Sequence, residues 1–389
     1  MNSPYPTLNF GLGEDIDMLR DAVYQMCQKE IVPRAADIDR SNEFPMDLWR
    51  TLGDMGLLGI TIEDSYGGSG MGYLAHSVVM EEISRASASV GLSYGAMSNL
   101  CLNQLGKNGN EEQKQKYLPK LCSGQHIGAL AMSEANAGSD VVSMTLNARK
   151  QGDSYILNGT KMWITNSTQA DYICLLANTS DDQKHRNKSL IVVPTDTPGF
   201  STSKRLNKLG MRASDTAQLF FDDVVVPQRY LIGEEGKGFT YQMMQFQEER
   251  LAATAICIKG LENCIRDTVE YTSQRQAFGK PLLDNQIINM KLADMQMEVE
   301  ALRALTYRTC EMYINGEDPT LLASYSKLKA GKLCNSIPTE CLQFWGGMGY
   351  MWDNPVGRAM RDMRLTSIGG GADEVMLGII GKRMGLMAK

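Results

Sequence analysis

The spacing of the apolar residues changes twice along the chain, and that change constrains the fold more than any single motif. From 14 to 125, apolar side chains recur at three- and four-residue intervals, which predicts helices over Asp15–Ala36, Pro45–Met55, Tyr73–Ala86 and Asn110–Leu121. From 126 to 235 the runs are short and punctuated by turn formers. They predict strands at Ile127–Ala131, Tyr155–Leu157, Thr160–Thr165, Ile173–Ala177, Leu190–Pro194 and Ala217–Val226. Asn158-Gly159, between two of these runs, predicts a tight hairpin because both residues tolerate positive φ. The helical period returns over Lys237–Gln274, Gln286–Ile314, Thr320–Cys341 and Ala372–Met387. Helices, then strands, then helices predict an α+β chain with an N-terminal helical domain (1–125), a central β-barrel (126–235) and a C-terminal four-helix bundle (236–389).

The length of 389 residues, too many for one ordinary core, agrees with several domains. A net charge of -6 argues against a nucleic-acid partner, which would call for a basic surface. No unbroken apolar run is long enough to cross a bilayer, so no membrane partner is expected. His76, His126 and His185 lie far apart and the nine Cys lack CxxC spacing, so no metal site is expected. Cys27, Cys257, Cys264 and Cys310 fall within helix-like apolar patterns, as buried, reduced thiols would. Met1–Gly13 carries neither a basic, apolar-cored leader nor an Arg-rich amphipathic pattern. The expected location is therefore the bacterial cytoplasm or, for a trimmed eukaryotic chain, the mitochondrial matrix. Gly-rich Tyr66–Gly72 reads as a connector, because no strand precedes it and its glycines miss the nucleotide-binding spacings.

Two segments carry chemistry. Ala131–Asp140 is dense in turn formers and hydroxyls, and its backbone N–H groups could cradle a planar polar ligand or a phosphate. By itself it is most simply a capped surface turn. Met162–Asn166 adds an aromatic and a hydroxyl, and strand alternation would turn Trp163 and Thr165 to one face. A lone Trp is usually core, but an aromatic wall beside hydroxyls suits an isoalloxazine ring.

Five segments in this order resemble the acyl-CoA dehydrogenases. They are Met132-Ser133-Glu134 with Ala137-Gly138-Ser139-Asp140; Asn158-Gly159-x-Lys161-x-Trp163-Ile164-Thr165-Asn166; Leu209-Gly210-Met211-Arg212; Arg275-x-x-Phe278-Gly279; and Gln343-x-x-Gly346-Gly347-x-Gly349-Tyr350. The resemblance covers nearly the whole chain. Over the first two-thirds, through Met80–Ser87, Gly91–Ala96 and Ser98–Cys101, it is strongest to the isovaleryl-CoA branch, whereas Gln343–Pro355 is more similar to long-chain or bacterial branched-chain members. It implies FAD as cofactor, an acyl-CoA substrate, electron-transferring flavoprotein as acceptor and a homotetramer. Alternatives are a dehydrogenase of longer or terpenoid-type branched acyl-CoA, a non-catalytic FAD-binding assembly protein, and an oxidase that passes electrons to oxygen.

The same resemblance implies roles for particular residues. Leu130, Met132, Ser133, Trp163, Ile164 and Thr165 would line the flavin ring, with Gly138 and Ser139 beside it. Ser139 would also meet the CoA pyrophosphate. Arg275, Phe278 and Gln286 would reach the FAD of a neighbouring subunit, and Gln343, Gly346 and Gly347 its adenosine end. A forked guanidinium at Arg275 matches paired phosphate oxygens. Asp373 and Glu374 would complete the cofactor site, although Ala372 and Asp373 stand where flavin-contacting Thr and Ser usually occur. Glu248, Arg250, Gly370 and Gly371 would meet substrate.

The resemblance also implies a carboxylate base that removes the α-proton. In most relatives it belongs to a segment that here reads Ile368-Gly369-Gly370-Gly371-Ala372-Asp373-Glu374, and its expected position is Gly370, which has no side chain. A smaller group of relatives places the base just before an Arg-Leu pair. Glu248-Glu249-Arg250-Leu251 offers two carboxylates about 100° apart on a helix, both with apolar neighbours. Helix geometry does not choose between them; the Arg-Leu register of the family implies Glu249, with Gly370 retaining a backbone N–H for the thioester oxygen.

Overall fold

The computed structural model describes residue 8, residues 10–181 and residues 183–387. Most of the Met1–Gly13 segment read for a leader lies outside them. The helices α1 (Glu14–Glu30), α2 (Ala35–Ser41), α3 (Asp47–Asp54), α4 (Gly72–Ala86), α5 (Ala88–Gly95), α6 (Asn103–Asn108) and α7 (Glu111–Cys122) come first, with a π-helical segment over Ala96–Leu102. The single helix expected over Asp15–Ala36 is interrupted. Pro33 cannot donate a helical hydrogen bond, and the chain makes a tight turn at Val32–Arg34 before restarting as α2. α7 begins at a reciprocal cap between Asn110 and Gln113.

The central region is one eight-stranded sheet ordered β6-β7-β3-β2-β4-β5-β8, with β1 parallel to β4. Its strands are β1 (Gly128–Ala131), β2 (Asn147–Gln151), β3 (Ser154–Thr165), β4 (Tyr172–Asn178), β5 (Lys188–Pro194), β6 (Phe200–Thr202), β7 (Thr216–Pro227) and β8 (Leu231–Ile232). β4 and β5 are continuous apolar runs because both their faces are covered. Cys174, Leu176, Leu190 and Val192 join the core shared with the helices, while Ile173, Leu175, Ile191 and Val193 join a second core inside the sheet region.

The expected turn at Asn158-Gly159 does not form, because β3 runs through it. The hairpin turn is Gly152-Asp153, between the paired residues Gln151 and Ser154. Gly159 serves close packing instead. At φ 134° it lies beside a bulge opposite β7, where an added Cβ would fall 2.9 Å from Leu146 Cα.

The C-terminal region contains α8 (Gly238–Gln274), the short hairpin β9 (Gln276–Ala277) and β10 (Lys280–Pro281), and the helices α9 (Gln286–Ile314), α10 (Thr320–Trp345), α11 (Pro355–Met363) and α12 (Asp373–Arg383). α11 was absent from the sequence reading although its start signal is legible: Asn354 accepts from Val356 N and Gly357 N, with Pro355 in the first turn. All nine cysteines are free and buried. Among the described residues, no helix is long and apolar enough to cross a membrane.

Candidate active site

α8 passes between the N-terminal helices and the rest of the bundle and turns its two adjacent carboxylates to different surroundings. Glu248 is buried at 2% exposure, with Lys107 and Tyr313 both donating to Oε1. Asn103 Nδ2 lies 3.3 Å from Oε2, and Tyr73 OH donates to the Glu248 carbonyl. These contacts engage the carboxylate with protein donors from α6 and α9. Glu249 faces the loop before α12, and an added Cβ on Gly370 would lie 3.7 Å from Glu249 Oε1 and 3.8 Å from Ala253 Cβ. Burial raises the Glu249 pKa above the ordinary carboxylate value, with the Arg250 and Lys327 charges opposing the rise. Arg250 is itself buried and donates to Gln247 Oε1 at 3.0 Å.

The loop opposite Glu249 requires glycine for conformational reasons. Gly370 (φ 63°) and Gly371 (φ 94°) both occupy the left-handed half of backbone space. Lys327 of α10, fully buried, donates to the Gly371 carbonyl. Asp373 opens α12; its Oδ1 lies 4.0 Å from Lys327 Nζ and has no hydrogen-bond partner among the described residues, while Glu374 beside it is exposed.

On the sheet, the two chemistry-bearing segments meet. Met162 N donates to the Ser133 carbonyl at 2.9 Å. Buried Lys161 donates to the Met132 carbonyl at 2.8 Å and lies 3.2 Å from Glu134 Oε1. Glu134 in turn accepts from Thr145 N and Leu146 N. Burial lowers the Lys161 pKa to about 8 against the pull of Glu134. This ion pair fastens Met132 and Ser133 beside Trp163, and sequence reasoning gave Lys161 no role. The available signal was a lysine on an inward-facing strand position. The regular alternation expected for Trp163 and Thr165 is broken by a register shift between Lys161 and Ile164. Trp163, at φ 61°, stands half in solvent, Ile164 is buried and Thr165 is half-buried. Leu130 is half-buried below, while Gly138 and Ser139 are exposed, with open space where a Gly138 Cβ would stand. An exposed indole beside partly buried Ser and Thr hydroxyls fits a flat ring with an apolar face and a polar rim, which is what FAD presents.

The remaining predicted contacts form a separate patch at the end of the bundle. Tyr271 stacks on Trp345 at 4.1 Å, which brings the chain after Arg275 close to the Gly346-Gly347 turn. Phe278 and Gly279 both have positive φ in the β9–β10 turn, so the Phe278 ring stands fully exposed. Arg275, Gln286, Gln343, Gly346 and Gly347 are exposed as well.

Family models described as the N-terminal, middle and C-terminal domains of acyl-CoA dehydrogenase match residues 13–125, 129–224 and 236–385. The chain is 45% identical over 376 residues to an isovaleryl-CoA dehydrogenase, mitochondrial, of Pongo abelii, covering 96% of this chain and 89% of that protein. It is 41% identical over 367 residues to a 2-methylacyl-CoA dehydrogenase, mitochondrial, of Solanum tuberosum, covering 94% and 89%. The solved butyryl-CoA dehydrogenase of Megasphaera elsdenii superposes with TM-score 0.93 at 34% identity, over 97% of this chain and 100% of that one.

Proposed function

The chain belongs to the acyl-CoA dehydrogenase family and is an oxidoreductase; within that family we propose that it uses FAD to place a trans double bond between Cα and Cβ of a short branched acyl-CoA. The observation that carries this reading is the Glu249 carboxyl, which lies 3.7 Å from where a side chain on Gly370 would begin, with its pKa raised by burial. Glu249 takes the α-proton. The Gly370 N–H donates to the thioester oxygen and stabilises the negative charge that develops there, which makes the α-proton more acidic. FAD, when bound, would supply the hydride-accepting chemistry that dehydrogenation at Cβ requires. Ser133, Trp163 and Thr165 would hold its ring, and Arg275, Phe278, Gln286, Gln343, Gly346 and Gly347 would meet the FAD of a neighbouring subunit in a homotetramer. Arg250, Gly371 and Ser139 would contact the CoA substrate. Electron-transferring flavoprotein would be the acceptor, and 1–125, 126–235 and 236–389 the three domains.

The substrate class draws support from the similar identity to an isovaleryl-CoA and a 2-methylacyl-CoA dehydrogenase. It also draws support from Gly370, which faces the base without a side chain and so leaves space there for a branch. Anaerobic mixing of the FAD-loaded protein with isovaleryl-CoA, 2-methylacyl-CoAs, butyryl-CoA and longer straight chains tests the proposal. Loss of flavin absorbance should be fastest with the short branched thioesters. No bleaching with any of them would refute dehydrogenation, and rates rising steadily with straight-chain length would refute the substrate class.

A further inference from the structure

α10 carries an unusual residue on its innermost face. Ala323, Lys327, Ala330 and Cys334 recur at three- and four-residue spacing and are all buried, Lys327 to 0%. A lysine ammonium is placed there only where the protein supplies partners. Its donor contact is the Gly371 carbonyl, and the nearest carboxylate is Asp373 at 4.0 Å. The next residues along the same helix face support the same loop. At Gly331 a Cβ would fall 2.5 Å from Asp373 Oδ1 and 2.9 Å from Ser367 Oγ. At Asn335, Nδ2 donates to Ser367 Oγ at 2.7 Å. Lys327, Gly331 and Asn335, each four residues from the next, thus form a seat for the segment that presents Gly370 to Glu249.

We propose that Lys327 is a positioning residue for proton abstraction: by gripping the Gly371 carbonyl it sets the Gly370 N–H opposite Glu249, and it places a positive charge on the side of the base. The inference rests on the reading of Glu249 as the base. Two polar hooks and a glycine notch oppose the conformational freedom of three consecutive glycines, which would otherwise leave the amide poorly oriented. The ionisable groups facing Lys327 are Glu249 and Cys257 from α8, Cys334 on its own helix and Asp373 from α12. Glu249 is faced by Arg250 and Lys327. Both cations favour the ionised carboxylate against a burial that disfavours it, so losing one raises the pH at which the base becomes available.

The test uses the FAD-loaded protein and the acyl-CoA that bleaches it fastest. Lys327→Met should slow flavin reduction about 10- to 100-fold while KM moves by less than about threefold, since misplacement by an ångström costs rate rather than binding. The acid limb of its rate–pH profile should move to higher pH. Hydrogen exchange at residues 368–373 should accelerate, with or without FAD. Lys327→Gln keeps a neutral donor for the Gly371 carbonyl and should recover much of the rate while the acid limb stays displaced. Wild-type rate together with an unmoved acid limb in Lys327→Met overturns the inference. If that variant does not fold, Lys327→Gln decides, and an acid limb at the wild-type pH overturns the inference. A wild-type protein that no acyl-CoA bleaches would instead mean that the proposed function has failed, before Lys327 is tested.

Discussion

Two neighbouring glutamates on one helix show how surroundings assign chemistry to identical side chains. Glu248 pairs with Lys107 and accepts from Tyr313 and Asn103, so its carboxylate is engaged by donors from α6 and α9. Among the described residues Glu249 has no such donors, and burial raises its pKa, which strengthens it as a proton acceptor. Glu249→Gln should therefore retain FAD and lose about 10²–10⁴-fold in flavin-reduction rate, the usual contribution of a general base. Glu248→Gln should keep most of that rate but lower the melting temperature, because Lys107 loses its buried counter-charge. The opposite pattern in stopped-flow traces would show that the base is Glu248. Because the Glu249 pKa is raised, the acid limb of the wild-type rate profile should lie above the ordinary carboxylate value, with activity falling as pH drops through it. Adding Gly370→Glu to the inactive Glu249→Gln protein should restore only part of the rate. The Cβ meets ordinary contacts at 3.7–3.8 Å, but φ 63° strains any side-chain-bearing residue, at about 1–2 kcal/mol. Recovery to the wild-type rate would show that the loop relaxes freely.

At the scale of the element, β3 illustrates how one glycine can be read for the wrong use. Gly152 and Gly159 both have positive φ, but only Gly152 lies in a turn, with open space around its missing Cβ. Gly152→Ala should cost about 1 kcal/mol, the conformational term alone. Gly159→Ala drives a Cβ to 2.9 Å from Leu146 Cα and 3.0 Å from its Cβ, and should cost about 2–4 kcal/mol. Thermal melts of the two variants, compared side by side, check this, and equal costs would contradict the assignment of the turn. The bulge that follows has a functional consequence. It carries Trp163 into the left-handed region and out of the core, which an unbroken strand would not do.

At the scale of the whole molecule, the Leu209–Arg212 segment joins the sheet region to the bundle. Gly210 packs so closely on α11 that a Cβ would lie 2.2 Å from the Arg361 carbonyl, and Met211 N donates to Asp362 Oδ1 at 2.5 Å. Arg361, stacked over the Trp352 ring at 3.8 Å, pairs with Asp39 of α2 at 2.8 Å, so three regions meet there. Burial raises the Asp362 pKa to about 6, and the Met211 hydrogen bond, Arg358 and Arg361 only partly offset it. A carboxyl whose folded pKa is raised stabilises the fold below its unfolded value, and that contribution is lost as pH rises to about 6. Asp362→Asn keeps the acceptor for Met211 but does not titrate. Its melting temperature should vary less between pH 4 and 6 than that of the wild type. At pH 7 it should be more stable by at most about 3 kcal/mol. An equal loss of stability at every pH would mean that the carboxylate is needed for its charge.

Periodicity and local chemistry were sufficient for the order of helices, sheet and helices, since burying an apolar stripe or face depends on near neighbours in sequence. The motifs around Ser133, Trp163 and Gly346, and the run Glu248-Glu249, were likewise legible, but their assignment leaned on resemblance, because helix geometry left Glu248 and Glu249 equivalent. Tertiary structure separated them. Lys107 and Tyr313, distant in sequence, converge on Glu248, whereas Gly370 and Lys327 converge on Glu249. The uses of Lys161, Gly159 and Lys327 were hidden for the same reason. A residue's partners across the fold decide whether a lysine is a solvated cation or a buried clamp, and whether a glycine is a turn or a contact, and no local pattern encodes a partner that only the fold brings close.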